Sequence, residues 1–73
     1  DFVEGIEQNV DRARLTKAME GLREDYRDVL VLRFFEEKSY QEIGDILQKP
    51  PGTVATLLNR AKAQLATLLA SHV

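Results

Sequence analysis

The sequence contains no cysteine, no tryptophan and a single histidine among its 73 residues. Without cysteine the chain can form neither a disulfide framework nor a thiolate metal site. The one histidine, His72, stands next to the last residue, where fraying is expected. These absences exclude disulfide-rich scaffolds and the usual zinc modules, and we expect neither a metal nor another cofactor.

Long apolar runs are also missing from the sequence. No stretch approaches the roughly 18 residues of a membrane span, and no signal-peptide pattern is present. A chain of 73 residues makes one small domain, with little room for a catalytic cleft and its supporting residues. Since no nucleophile–base pair or metal cluster is visible either, we predict that the chain is not an enzyme. The sequence begins with Asp1 rather than methionine, so we expect a domain taken from a longer chain.

What the sequence does contain is helical periodicity. Apolar residues recur at spacings of three and four in four segments, at about 10–21, 23–35, 40–48 and 51–70. No segment has a convincing strand pattern. We therefore predict an all-α, four-helix domain over residues 10–73, preceded by a lead-in over residues 1–9.

The apolar positions of these helices predict the core. We expect it to contain Leu15, Met19, Leu22, Val29, Leu30, Ile43, Ile46, Leu47, Val54, Leu58, Ala61 and Leu65. The second helix has more apolar residues than one buried face needs. We expect Val31, Leu32 and Phe35 either to complete the core or to form part of a groove for a partner helix.

The segment from residue 39 to residue 62 has the pattern of a helix-turn-helix. Ser39 and Glu42 form the capping-box spacing at the start of the third helix. Pro50 and Pro51 interrupt the helical pattern, and a proline is tolerated in the first turn of the helix that follows. Two helices joined by so short a turn are typical of a DNA-binding motif, in which the second helix enters the major groove. A cytoplasmic location is the default expectation for a cysteine-free module of this kind.

The face of the fourth helix opposite its core stripe is small and polar. At 100° per residue, Gly52, Thr56, Asn59 and Ala63 lie on this face, flanked by Ala55, Arg60 and Lys62. Asparagine can pair with adenine and a threonine methyl can contact thymine, but the pattern also fits an ordinary solvated face. We predict DNA contacts from Ser39, Tyr40, Gln41, Gly52, Thr53, Ala55, Thr56, Asn59, Arg60 and Lys62.

The charge distribution partly supports this prediction. The net charge is −2. Residues 1–37 contain six basic and ten acidic side chains, whereas residues 38–73 contain four basic and two acidic ones. The positive part coincides with the predicted helix-turn-helix, but four cations predict weak DNA binding by the domain alone, because phosphate contacts supply most of the affinity.

Several motifs together resemble region 4 of bacterial sigma factors, most of all the extracytoplasmic-function group. They are the stretches 25–33 (DYRDVLVLR), 39–43 (SYQEI), 52–54 (GTV) and 59–62 (NRAK), and the resemblance covers roughly residues 10–69. It implies recognition of the −35 promoter element by the last helix and docking on the β flap of RNA polymerase. It also implies an anti-sigma factor as a common inhibitor, and no enzymatic activity.

The sequence departs from that family after Gly-Thr-Val, where members commonly have Lys or Arg, then Ser, then Arg. Here Ala55, Thr56 and Leu57 follow, so two cations are missing, while Arg60 and Lys62 match. Two other hypotheses therefore stay open. One is a sigma-like protein-interaction domain, such as an anti-sigma decoy or a regulator docking site. The other is the DNA-binding domain of a two-component response regulator.

Overall fold

The computed structural model describes residues 12–70 as a series of helices, with no strand among those residues. The first three helices are short and the last is long, as the sequence predicts. They are α1 (Arg12–Glu20), α2 (Glu24–Leu30) with a π-helical continuation (Val31–Phe35), α3 (Tyr40–Leu47) and α4 (Pro51–Ala70). The all-α prediction is confirmed, and the predicted lead-in over residues 1–9 and His72 lie outside the described residues.

Helix α4 is the centre of the domain, because α1, α2 and α3 all pack against it. Its buried residues are separated by three or four positions and so lie along one side of the helix. They are Val54, Leu57, Leu58, Ala61 and Leu65. Val29 and Leu30 from α2 and Ile43 from α3 complete the most deeply buried part of the core.

Most of the predicted core residues are buried, and Met19 and Leu47 are half-buried against the core. Ile46 was predicted wrongly: 52% of its surface is exposed. The buried side of α3 runs through Ile43, Gly44 and Leu47, and it is therefore rotated toward the glycine and away from Ile46. Ala18 and Leu57 are buried although they were not in the predicted core.

The polar turn between α2 and α3 is held by both backbone and side-chain contacts. The π-helical segment ends with the Glu36 N–H donating to the Val31 carbonyl at 3.0 Å and the Lys38 N–H donating to the Leu32 carbonyl at 2.9 Å. Arg33 donates to the Lys38 carbonyl at 3.0 Å, and its guanidinium lies 5.0 Å from the centre of the Tyr40 ring. These contacts fix where α3 begins.

A further contact links the first and last described helices. Arg14 on α1 donates to the Leu69 carbonyl, in the last turn of α4, at 3.3 Å. Carbonyls at a helix C-terminus lack intrahelical donors, and a cation there also interacts favourably with the helix dipole. Arg14 therefore fastens α1 to the end of α4.

Candidate nucleic-acid interface

Helix α3 begins with the capping box that the sequence predicts. The Ser39 hydroxyl accepts from the Glu42 N–H at 3.1 Å, and the Glu42 carboxylate accepts from the Ser39 N–H at 2.9 Å. Hydrogen bonds with Ser39 hold the pKa of the Glu42 carboxyl below its ordinary value, and the bond with the Ser39 backbone has a larger effect than the bond with its side chain. The carboxylate is thus charged at neutral pH and fixes the first turn of α3.

The turn between α3 and α4 depends on a glycine that the sequence analysis did not single out. Gln48 ends α3 in the left-handed region, with φ 58° and ψ 49°, and the Lys49 N–H donates to the Gly44 carbonyl at 2.8 Å. A Cβ added at Gly44 would lie 2.5 Å from the Lys49 carbonyl oxygen, closer than such atoms can approach. The tight turn therefore requires glycine at position 44. A glycine inside an otherwise regular helix, just before a turn, was the available clue.

Helix α4 starts at Pro51, the position where proline is most easily accepted in a helix. The Pro50 carbonyl accepts from the N–H groups of Thr53 and Val54, at 3.0 and 3.1 Å. Pro50 thus supplies the first acceptor of the helix, although it has no side chain that could cap it.

The outward side of α4 consists of exposed, short or polar residues. Gly52, Thr53, Thr56, Asn59 and Arg60 are all exposed. No atom lies within 4 Å of where a Cβ on Gly52 would stand, so the start of the helix is open on this side. The Thr56 hydroxyl donates to the Gly52 carbonyl at 3.2 Å, which uses its only proton and leaves its methyl and oxygen lone pairs available.

The flank of this face that turns toward α2 is less exposed. Ala55 and Lys62 are both half-buried, and the Lys62 ammonium lies 5.1 Å from the centre of the Phe34 ring. Leu57, where the family commonly has a cation, is only 9% exposed and belongs to the core. The outward face therefore has Arg60 as its one exposed cation within the described part of α4.

The predicted contact residues of α3 form a separate group. Ser39, Tyr40 and Gln41 are all exposed at the beginning of α3. The length of α3, about 12 Å, separates them from the turn that leads into α4. The Tyr40 ring is covered on one side by the Arg33 guanidinium. The structure therefore divides the predicted DNA-binding residues between two places, the outward face of α4 and the start of α3.

A groove with a volume of about 540 Å³ lies between α1 and α2. On the α2 side it is lined by Arg27, Val31 and Phe35, which are spaced four residues apart, and Phe35 is 48% exposed. Of the predicted partner-binding residues, Val31 and Phe35 thus line the groove, whereas Leu32 packs against the core. On the α1 side the lining residues are Arg12, Leu15, Thr16, Met19 and Glu20.

None of the helices in residues 12–70 has the length and apolar character needed to cross a membrane. This agrees with the absence of long apolar runs in the sequence.

Known proteins resemble the chain along most of its length. The family model described as "Sigma-70, region 4" matches residues 12–65. An RNA polymerase sigma-E factor of Streptomyces antibioticus is 42% identical over 62 residues, which cover 85% of this chain and 34% of that protein. A sigma-E factor of Streptomyces avermitilis is 38% identical over 94% of the chain and 38% of its own length.

The "ECF RNA polymerase sigma factor SigW" of Bacillus subtilis is 46% identical over 44 residues, 60% of this chain and 24% of that protein. The chain thus spans about a third of the length of the first two curated relatives, and less of SigW. The resemblance inferred from the sequence motifs is confirmed, and it favours a sigma factor over a response regulator. With its helix-turn-helix and a family match over residues 12–65, the chain belongs to the sigma-70 region 4 family and is most like the extracytoplasmic-function group.

Proposed function

We propose that this chain is the promoter-recognition domain of an alternative sigma factor and acts in the cytoplasm during transcription initiation. In this proposal the outward face of α4 binds the −35 element, and the domain docks on the β flap of RNA polymerase. The main supporting observation is that the first half of α4 has exposed glycine, threonine, asparagine and arginine residues on the side opposite its core stripe.

The chemistry of this face suits base edges in the major groove. Asn59 can donate to and accept from the edge of an adenine, and the Thr56 methyl can contact a thymine methyl. Arg60 can pair with a guanine edge or with a phosphate. Gly52 and Ala55 are small enough to let the beginning of the helix come close to the DNA.

The remaining predicted contacts would position the domain on the DNA backbone. Thr53, Ser39, Tyr40 and Gln41 are exposed and, through hydroxyl, amide or backbone N–H groups, can donate to phosphate oxygens. Lys62 can keep its aliphatic part against Phe34 while its ammonium donates to a phosphate. Such contacts fix orientation and add affinity without specifying sequence.

The DNA-binding proposal is tested in the complete sigma factor bound to core polymerase, by measuring affinity for promoter DNA. Arg60→Ala should weaken binding by about 1–3 kcal/mol if the arginine contacts a base edge, and Asn59→Ala should relax the preference at one base pair. Thr56→Ala should weaken binding as well, because a methyl contact with thymine is lost.

The chain provides a matched control for the threonine. Thr67 donates to the Ala63 carbonyl at 3.1 Å, as Thr56 does to Gly52, but it lies three turns further along α4. Thr67→Ala should therefore have the same effect on the helix and none on promoter affinity. If Asn59→Ala and Arg60→Ala both leave promoter affinity unchanged, this face does not bind DNA.

The groove between α1 and α2 is the proposed docking surface for a partner helix, either of the β flap or of an anti-sigma factor. Val31 and Phe35 give it an apolar wall, and Leu32 supports that wall from the core side. An amphipathic helix can bury its apolar side in a groove of this kind.

Substitution of Phe35 tests the docking surface. Phe35→Ser should weaken association with core polymerase more than it weakens folding, because the side chain is already half exposed. Ile46→Ser is the matched control, since Ile46 is similarly exposed but lies on α3, away from the groove. Equal polymerase affinity for the two variants would remove the groove from the docking proposal.

A second candidate function is a sigma-like protein-interaction domain that binds DNA weakly or not at all. Three observations favour it: the net charge is −2, Leu57 is buried where the family commonly has a cation, and Lys62 is engaged with Phe34. In that case the Phe35 variant alone should show a defect, and the variants of the outward face should behave like the parent protein.

A further inference from the structure

The groove between α1 and α2 combines an apolar floor with positive charge. Leu15 and Met19 of α1 face Val31 and Phe35 across it. Arg12 and Arg27 also line it, and among residues 12–70 Glu20 is the single acidic residue in the lining. A matching ligand is a segment with apolar residues at helical spacing and acidic residues between them.

The eleven residues that precede α1 have this composition. In the sequence DFVEGIEQNVD, Phe2, Ile6 and Val10 recur every four residues, which matches the spacing of Arg27, Val31 and Phe35 on the groove wall. The same eleven residues contain four acidic side chains and no basic one. Both the apolar spacing and the charge are therefore complementary to the groove.

We propose that the segment 1–10 of this chain binds in the groove between α1 and α2. The segment joins α1 at Arg12, which is itself a lining residue, so no long connection is needed. The backbone from Ile6 to Arg12 reaches about 20 Å when extended, whereas Thr16 lies about 6 Å along α1 from Arg12. Ile6 can thus reach the middle of the groove.

Binding of the segment in the groove would compete with the binding of a partner helix in the same groove. If the groove is where a polymerase helix docks, the segment must leave before polymerase can bind. The apparent affinity is then the affinity of the open groove multiplied by the fraction of molecules in which the groove is open. Only this consequence rests on the proposed function. The contact itself is a property of the chain in the absence of DNA and polymerase.

The test uses the absence of cysteine from the natural sequence. In the 73-residue chain, Ile6→Cys is combined either with Thr16→Cys in the groove or with Lys17→Cys on the other side of α1. Thr16 and Lys17 are both exposed and adjacent in sequence. The two cysteine pairs therefore have nearly the same separation along the chain, and they differ mainly in the side of α1 on which the second cysteine lies. Under mild oxidation the pair with Thr16→Cys should form a disulfide about tenfold faster, because binding in the groove raises the local concentration of the two thiols.

Equal rates for the two pairs would overturn the proposal. Thermal unfolding of the reduced variants, followed by circular dichroism, verifies that both remain folded. A second measurement leaves both the groove and the apolar residues of the segment unaltered: a nitroxide label attached through Gln8→Cys alone should broaden the resonances of Val31 and Phe35 and spare those of Asn59 and Arg60. Uniform broadening or none would also overturn it. Since neither measurement involves polymerase, failure here leaves the docking proposal to be judged by its own experiment.

Discussion

Leu30 and Ile46 are both aliphatic residues on helices, and they differ strongly in burial. Leu30, at the end of α2, packs in the core and is only 2% exposed, whereas Ile46, on α3, is 52% exposed. The apolar spacing predicts which side of each helix is apolar, but it does not predict which residues of that side are most deeply buried. On α3 the close approach of Gly44 to the following turn rotates the buried side toward the glycine.

The two residues provide a paired stability prediction. Leu30→Ala should lower the free energy of unfolding by about 2–5 kcal/mol, the usual range for a buried leucine that leaves a cavity. Ile46→Ala should change it by less than about 0.5 kcal/mol, as surface substitutions do. Chemical denaturation of both variants checks this, and a loss for Leu30→Ala below about 0.5 kcal/mol would contradict the burial of Leu30.

The burial of Leu57 is a second feature of a single residue that the sequence did not predict. Comparison with the family pattern treats it as a missing cation, but the structure buries it beside Leu58. Its position on α4 is at the edge of the core stripe, about 60° from Val54 at 100° per residue. A long charged side chain there could extend to solvent, whereas leucine packs inward, so the residue type decides which surface the position joins.

At the scale of the elements, the helices and the capping box follow from the sequence because their causes are local. Apolar spacing, the Ser39–Glu42 pair and the two prolines act within a few residues of one another. The π-helical continuation of α2 and the left-handed conformation of Gln48 were not predictable in this way. Both depend on how neighbouring helices meet, and the left-handed position is Gln48 rather than the glycine that usually marks such a helix end.

The turn between α3 and α4 can be tested with two glycines that have opposite surroundings. Gly44→Ala places a Cβ 2.5 Å from the backbone oxygen of Lys49, which cannot move without opening the turn. We expect a loss of about 1–3 kcal/mol, as for other overpacked sites, and weaker promoter binding because α4 shifts relative to α3. Gly52→Ala meets open space, so it should be neutral or stabilising by up to about 1 kcal/mol. Thermal unfolding of the two variants measures the difference, and similar melting temperatures would show that the turn adapts.

At the scale of the whole molecule, the modest supply of cations determines how the proposed DNA contact depends on salt. Residues 38–73 contain only Lys38, Lys49, Arg60 and Lys62 as basic side chains. Under the proposed function, useful promoter affinity comes from tethering to polymerase, which supplies a high effective concentration.

The salt dependence of the isolated chain can be predicted from this count. The logarithm of the association constant should fall with the logarithm of salt concentration at about −0.9 per phosphate neutralised, so a slope no steeper than about −4 is expected. Arg60→Ala should make that slope shallower by about 1 if the arginine contacts a phosphate. Fluorescence anisotropy with a labelled promoter duplex at several salt concentrations measures both values. A steeper slope would mean that cations outside residues 38–73 also contact DNA.

Helix α4 has a core side and an outward side, and the half-buried Ala55 and Lys62 lie between them. Val54, Leu57, Leu58, Ala61 and Leu65 are buried, while Thr53, Thr56, Asn59 and Arg60 are exposed. Under the proposed function, mutations that change the preferred promoter would arise at positions with little effect on folding. Descendants of a duplicated gene could therefore acquire different target promoters one substitution at a time, each intermediate remaining a folded protein that still docks on polymerase.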